Sequence, residues 1–268
     1  MARLRRLLLL ALALLLAPAA AQADKVIALS FDDVPRDRGA FFTPDERTRW
    51  LIQALQRAQV RQAAFFVTPG LLEEPDGAGG EQRIAAYVAA GHVIANHSES
   101  HGALASSAAP AYLADVDSAT AWLKPRPGWR PWFRFPYLDE GGTDIAKRDA
   151  IRQGLAARGL RNGYVTVDGS DWLIEDLCLR AQAEGKPINM RALRDFYVNT
   201  QVNAAEAGDA FARQMLGRSP AHVMLLHETD IAALFIADLV AQLRRLHWRV
   251  VPIDEAYADP LARMAPNP

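Results

Sequence analysis

The chain has 268 residues, with 30 Lys and Arg against 31 Asp and Glu, for a formal net charge of −1. That balance, with no basic stripe, argues against a nucleic-acid partner, and a single cysteine, Cys178, excludes an internal disulfide. The length suffices for one large domain with a full core.

In chain order, residues 1–23 come first: an arginine-rich start, an apolar run and a small-x-small ending at Ala21-Gln22-Ala23. This is the pattern of a cleaved secretory signal peptide, and the apolar run is too short to read as a spanning helix. No cysteine lies near the cleavage point, which argues against a lipid anchor. The mature chain is therefore expected in a bacterial periplasm or extracellular space, with no stable membrane insertion after cleavage. Its domain is expected over 24–260, with a C-terminal tail at 261–268.

Short β-rich runs then alternate with amphipathic stretches. Strands are expected at 25–31, 62–68, 92–96, 132–135, 163–167, 222–227 and 248–253, and helices at 44–60, 109–124, 143–159 and 230–246. In the first helix Trp50, Leu51, Ala54, Leu55 and Ala58 fall on one face. The Gly-rich 73–81 reads as a surface loop. Most strands are continuous apolar runs, which suits a parallel sheet covered on both faces. The class is α/β, and periodicity leaves an open doubly wound sheet and a closed barrel equally allowed.

Ionisable residues follow these strands: Asp32 and Asp33, His97, Arg134 with Tyr137, Asp168 and Asp171, and His227. In both α/β architectures, sites form beyond the C-terminal strand ends. Adjacent acids on a strand point to opposite faces, so Asp32 and Asp33 need a reason to sit at the mouth of an apolar strand. One reason is a metal. His97 and His101, four apart in "NHSESH", lie on one face of a helix or helical turn, and Asp33 completes a set of two histidines and one acid with open positions for water and substrate. Asp32 is then free to act as a base. The bland alternatives are a turn-capping acid pair and two surface histidines. Likewise Arg134 can be a surface arginine, Tyr137 and Trp172 plain core, and Asp168 a turn former. His92, His222 and His247 read as structural, and Cys178 as a small buried hydrophobe.

"SFDD", "HSESH", "RFPY", "SDW" and "LLH" stand in the order and rough spacing of the five motifs of polysaccharide deacetylases, carbohydrate esterase family 4 with its NodB-type domain. The resemblance runs from about Lys25 to Asp254. It implies a deformed (β/α)7 barrel and a metal-dependent hydrolase removing acetyl groups from a carbohydrate such as peptidoglycan or a chitin-type glycan. By motif, Asp32 resembles the catalytic base, and Asp33, His97 and His101 the metal triad, with Zn2+ expected and Co2+ or Ni2+ as alternatives. Arg134 resembles the arginine that orients and ionises the base, and Tyr137 supplies a backbone N–H for the oxyanion. His227 resembles the general acid, and Asp171 the residue that raises its pKa. Trp172 is expected to wall the acetyl pocket, and Phe135 to narrow the cleft as a substrate contact. A complete acid pair favours N-acetyl substrates, because amines leave poorly unless protonated.

The chain departs from that pattern in two longer stretches, 34–46 and about 173–208, which are expected to form lids or substrate walls. They leave open an amidase acting on a small non-sugar C–N bond, with 173–208 capping a closed pocket. A non-catalytic carbohydrate-binding pseudoenzyme is the third reading.

Overall fold

The computed structural model describes residues 25–264, so the leader expected at 1–23 lies outside the described residues, as does 265–268. Eight strands form one parallel sheet: β1 Lys25–Val34, β2 Ala64–Val67, β3 Val93–Asn96, β4 Trp129–Phe133, β5 Arg161–Asn162, β6 Val167–Asp168, β7 Ala221–His227 and β8 Trp248–Val250. Seven run in the order β5-β4-β3-β2-β1-β7-β6, and β8 pairs with the start of β1. The sheet curls into the deformed (β/α)7 barrel. Its seam lies between β5 and β6, which are joined by the chain and not by a ladder. The run 163–167, expected as one strand, is mostly this connection.

Helices occupy the intervals: α1 Pro44–Arg57, α2 Gly80–Ala89, α3 Ala109–Leu123, α4 Ile145–Ala157, α5 Asp171–Ala183, α6 Met190–Leu216, α7 Asp230–Arg245, with short α8 Ile253–Ala256 and α9 Leu261–Met264. The start of α1 is encoded locally. Thr43 and Glu46 exchange hydrogen bonds as a capping box, and Pro44 occupies the first turn. Its buried face holds Leu51, Ala54 and Leu55, while Trp50 is exposed and stacks on Phe42. No described helix is long and apolar enough to cross a membrane.

The strand pleat sorts side chains into two layers. Ile27, Leu29 and Phe31 point outward into the large core shared with α1 and α7, together with Phe65, Val67, Met224 and Leu226. Ala28, Ala64, Phe66, Ala95 and Val223 point inward, where Trp132, Ile253 and Tyr257 fill the barrel. Ser30 and Asp32 share the inward parity of Ala28. A third cluster, with Leu104, Tyr112, Phe133, Phe135 and Ile151, lies under α3 and α4.

The segment 173–208 folds as most of α5 and α6, and α6 packs along α7 and β6. It forms a helical layer of the barrel, and α5 also reaches the cavities at the strand ends through Glu175, Asp176 and Leu179.

Candidate active site

The C-terminal ends of the parallel strands converge on a cleft of about 520 Å3, bounded by residues that include Asp32, Asp33, His97, His101, Tyr137, Trp172 and His227. Asp32 reaches it by strand parity. Asp33 reaches it because its backbone is left-handed, with φ of 61°, where the β1 ladder breaks register between Phe31 and Val34. This local reversal overrides the alternation, so both acids face one cleft.

Arg134 follows β4 and is 1 % exposed. Nη1 donates to Asp32 Oδ1 at 2.6 Å and to Ser30 Oγ at 2.8 Å, Nε to the Gly163 carbonyl at 2.8 Å, and Nη2 to the Tyr257 hydroxyl at 2.9 Å. The guanidinium also lies 3.8 Å over the Phe66 ring. Burial works against its charge, but Asp32 and Tyr257 outweigh burial and raise its pKa further. A buried arginine satisfied on three sides fixes Asp32 in one orientation. Gly163 is required here, since a Cβ would sit 2.7 Å from the Phe66 ring.

The turn carrying both histidines is irregular and not helical. Ser98 and His101 are left-handed, with φ of 67° and 57°. The Asn96 side chain accepts from Ser98 N, Ser98 Oγ accepts from His101 N, and Asp115 accepts from the N–H groups of Glu99 and Ser100. These bonds replace the helix expected from the four-residue spacing and still bring the imidazole centroids to 4.9 Å.

Asp33, His97 and His101 present ligand atoms within 4.8 Å of one another, the one such group among the described residues. His97 Nδ1 is 2.9 Å from the Arg134 carbonyl, which can only accept. The ring proton therefore sits on Nδ1, leaving the Nε2 lone pair facing Asp33 Oδ1 at 3.3 Å. His101 Nε2 is 2.9 Å from the same oxygen, which is buried and meets no donor in hydrogen-bonding geometry. Acceptors turned toward one another around a buried oxygen fit a divalent cation, with His97 oriented by its other nitrogen as metal-ligating histidines are. With no cation held, burial pushes the Asp33 carboxyl upward, but imidazoles that carry a proton toward it, His101 and His97, together with the Arg36 guanidinium, outweigh burial and hold the pKa well below the carboxylate range.

Across the cleft, Asp171 starts α5 fully buried. Oδ1 takes His227 Nδ1 at 2.7 Å and Oδ2 takes His227 N at 2.8 Å. Burial lowers the His227 pKa, yet Asp171 first, then Asp33 and Asp32, raise it from 6.5 to about 9. His227 Nε2 lies 4.0 Å from Asp33 Oδ2.

Tyr137 is 69 % exposed and left-handed, with its ring 4.6 Å from that of His101. Trp172 is 43 % exposed and lines the same cleft. Neither is core. Asp168 accepts from Ser170 N, as a turn former does, and also lines the cleft. Phe135 corrects the expectation of a substrate contact. It is buried, packed against Tyr112 and Phe133, and lines a separate cavity. The reason is parity: Arg134 points inward, so its neighbour points out into the third cluster. His92 and His222 are buried and hydrogen-bonded within the fold. Sequence reasoning missed Ser30 and Tyr257, whose roles arise only from contact with Arg134.

A family model for polysaccharide deacetylase matches residues 19–160, more than half of the chain. No curated protein matches. Among solved structures, a family 4 carbohydrate esterase from Streptomyces lividans in complex with acetate is 20 % identical, with a TM-score of 0.55, covering 86 % of this chain and 93 % of that one. The peptidoglycan deacetylase PdaC from Bacillus subtilis is 19 % identical, with a TM-score of 0.55 and coverage of 92 % and 96 %. A carbohydrate esterase family 4 pseudoenzyme from Bacillus anthracis is 16 % identical, with a TM-score of 0.61 and coverage of 88 % and 66 %. Identities this low speak to the fold alone.

Proposed function

The chain belongs to the polysaccharide deacetylase family, and from that premise we propose that it is an exported, metal-dependent hydrolase removing acetyl groups, N-acetyl above O-acetyl, from a carbohydrate such as peptidoglycan or a chitin-type glycan. The observation that carries this reading is one cleft in which the Asp32–Arg134 and Asp171–His227 pairs flank the cluster of Asp33, His97 and His101.

Asp33, His97 and His101 would hold the cation, Zn2+ first and Co2+ or Ni2+ as alternatives. When bound it supplies Lewis-acid polarisation of the acetyl carbonyl and of the attacking water. Asp32 is the general base. Arg134 occupies its Oδ1, and its Oδ2 faces the cluster, 3.7 Å from His97 Nε2, in place to take the water proton. The Tyr137 N–H is engaged by no carbonyl or side chain of the described residues. It serves the oxyanion that develops on the acetyl oxygen. His227, kept protonated by Asp171, donates to the departing nitrogen. Exposed Tyr137 and Trp172 provide ring faces for a sugar. The small-molecule amidase reading is less favoured because most of 173–208 packs as a helical layer against the barrel, and the pseudoenzyme reading, although a pseudoenzyme is among the similar structures, because the expected base, acid and metal-holding residues are all in place.

The test is release of acetate and free amine in equal amounts from N-acetylglucosamine oligomers, abolished by a chelator and restored by Zn2+. Release that survives complete removal of metal would refute metal dependence.

A further inference from the structure

The loop between β1 and α1 carries a guanidinium that the mechanism leaves unused. Arg36 reaches back to Asp33, with Nη1 2.6 Å from Oδ2, and is 25 % exposed on a rim shared by the cleft and a neighbouring cavity of about 400 Å3. The two oxygens of Asp33 are thereby made different. Oδ1 faces the two imidazoles, whereas Oδ2 faces Arg36.

Arg36 is held from behind by buried groups that take no part in the acetyl chemistry. Its N–H donates to Glu228 Oε2 at 2.9 Å, and its carbonyl accepts from Arg47 Nη1 at 3.1 Å. Arg47 also donates to the Asp37 carbonyl and, at 2.8 Å, to Asp230 Oδ1. Asp230 Oδ2 takes the N–H groups of Phe41 and Phe42 at 2.7 and 2.8 Å. Glu228 Oε1 accepts from the Tyr87 hydroxyl at 2.6 Å. Arg47, Glu228 and Asp230 are all buried. A satisfied buried network of this kind is rigid, so the backbone that presents Arg36 has little room to move.

We propose that Arg36 is a positioning residue that occupies Asp33 Oδ2 and so leaves a cation only Oδ1; this rests on the metal reading of Asp33, His97 and His101. A carboxylate with both oxygens free can bind a cation through both. The second oxygen would then take up a position that the hydrolysis needs for water or the acetyl oxygen. A guanidinium beside the cluster also opposes a cation by charge. Arg36 therefore keeps coordination positions open while lowering cation affinity.

Co2+, chosen for its visible absorption bands, distinguishes the outcomes. It is titrated into the full-length wild type, Arg36→Gln and Arg38→Gln, with turnover measured in parallel. Arg36→Gln should bind Co2+ as tightly as the wild type or more so, with altered visible bands, while turnover falls about 10- to 100-fold. Arg38→Gln, on the same loop, should keep the wild-type bands. Unaltered bands in Arg36→Gln, weaker Co2+ binding, or the same change in Arg38→Gln would overturn the proposal and leave the metal site standing. A wild type that takes up no Co2+ would refute the metal reading and this inference with it.

Discussion

Asp32 and Asp33 are adjacent in sequence, and their neighbours make them unlike. Asp32 is fixed by the buried Arg134, while Asp33 is turned by a left-handed backbone toward two imidazoles. Replacing Asp32 by Asn should leave cation binding intact and lower turnover by about 100- to 10,000-fold, read as metal content and initial rate. His97→Ala should lose the cation itself. His227 offers a pH test in the metal-free protein. Its pKa is raised to about 9 because Asp171 and the cleft acids outweigh burial. A raised value means that this coupling stabilises the fold fully below the ordinary histidine range and is lost as pH rises through about 9. An NMR titration should place the imidazole near 9, and Asp171→Asn should bring it down. An unmoved titration would separate the two residues. Most of the titrating and ligating residues were legible because they end or closely follow a β-run with a polar group. Ser30 and Tyr257 were not, since they meet Arg134 across 104 and 123 residues of sequence.

At the scale of elements, the β1–α1 connection is pinned to β7 and α7 by Arg47, Glu228 and Asp230. Arg47→Met keeps the bulk but strips Asp230 of its ion pair, and breaking a buried pair costs about 3–5 kcal/mol. Urea unfolding should show a loss of that size, and a loss under 1 kcal/mol would mean that the network contributes little. The main strands were readable because buried parallel strands are continuous apolar runs. β5 and β6 were not, being only two residues each. The helix α6 escaped notice for another reason. Its buried positions, Tyr197, Gln201, Val202, Ala205, Asp209 and Ala212, follow helical spacing, but four of the six are polar or small, so no apolar stripe stands out. Its stretch therefore looked like an insertion when it is a layer of the barrel.

For the whole molecule, barrel closure places at one end groups that lie far apart in the chain, and the site depends on that closure more than on any one segment. Arg134 alone links β1, the seam at Gly163 and the C-terminal Tyr257. A cation that binds only the folded protein adds stability by mass action, about 2.7 kcal/mol at 100 times its Kd. Zn2+ should raise the melting temperature of the wild type and leave that of His97→Ala unchanged; an equal rise in both would place the cation elsewhere. The central claim is deacetylation by this cleft. Its most direct test is acetate released by metal-loaded protein from a panel of N- and O-acetylated glycans, with Asp32→Asn alongside. Metal-dependent acetate from an N-acetylated glycan, absent in the variant, is the predicted result. No acetate from any glycan while the cation is bound, or equal acetate from the variant, would contradict it.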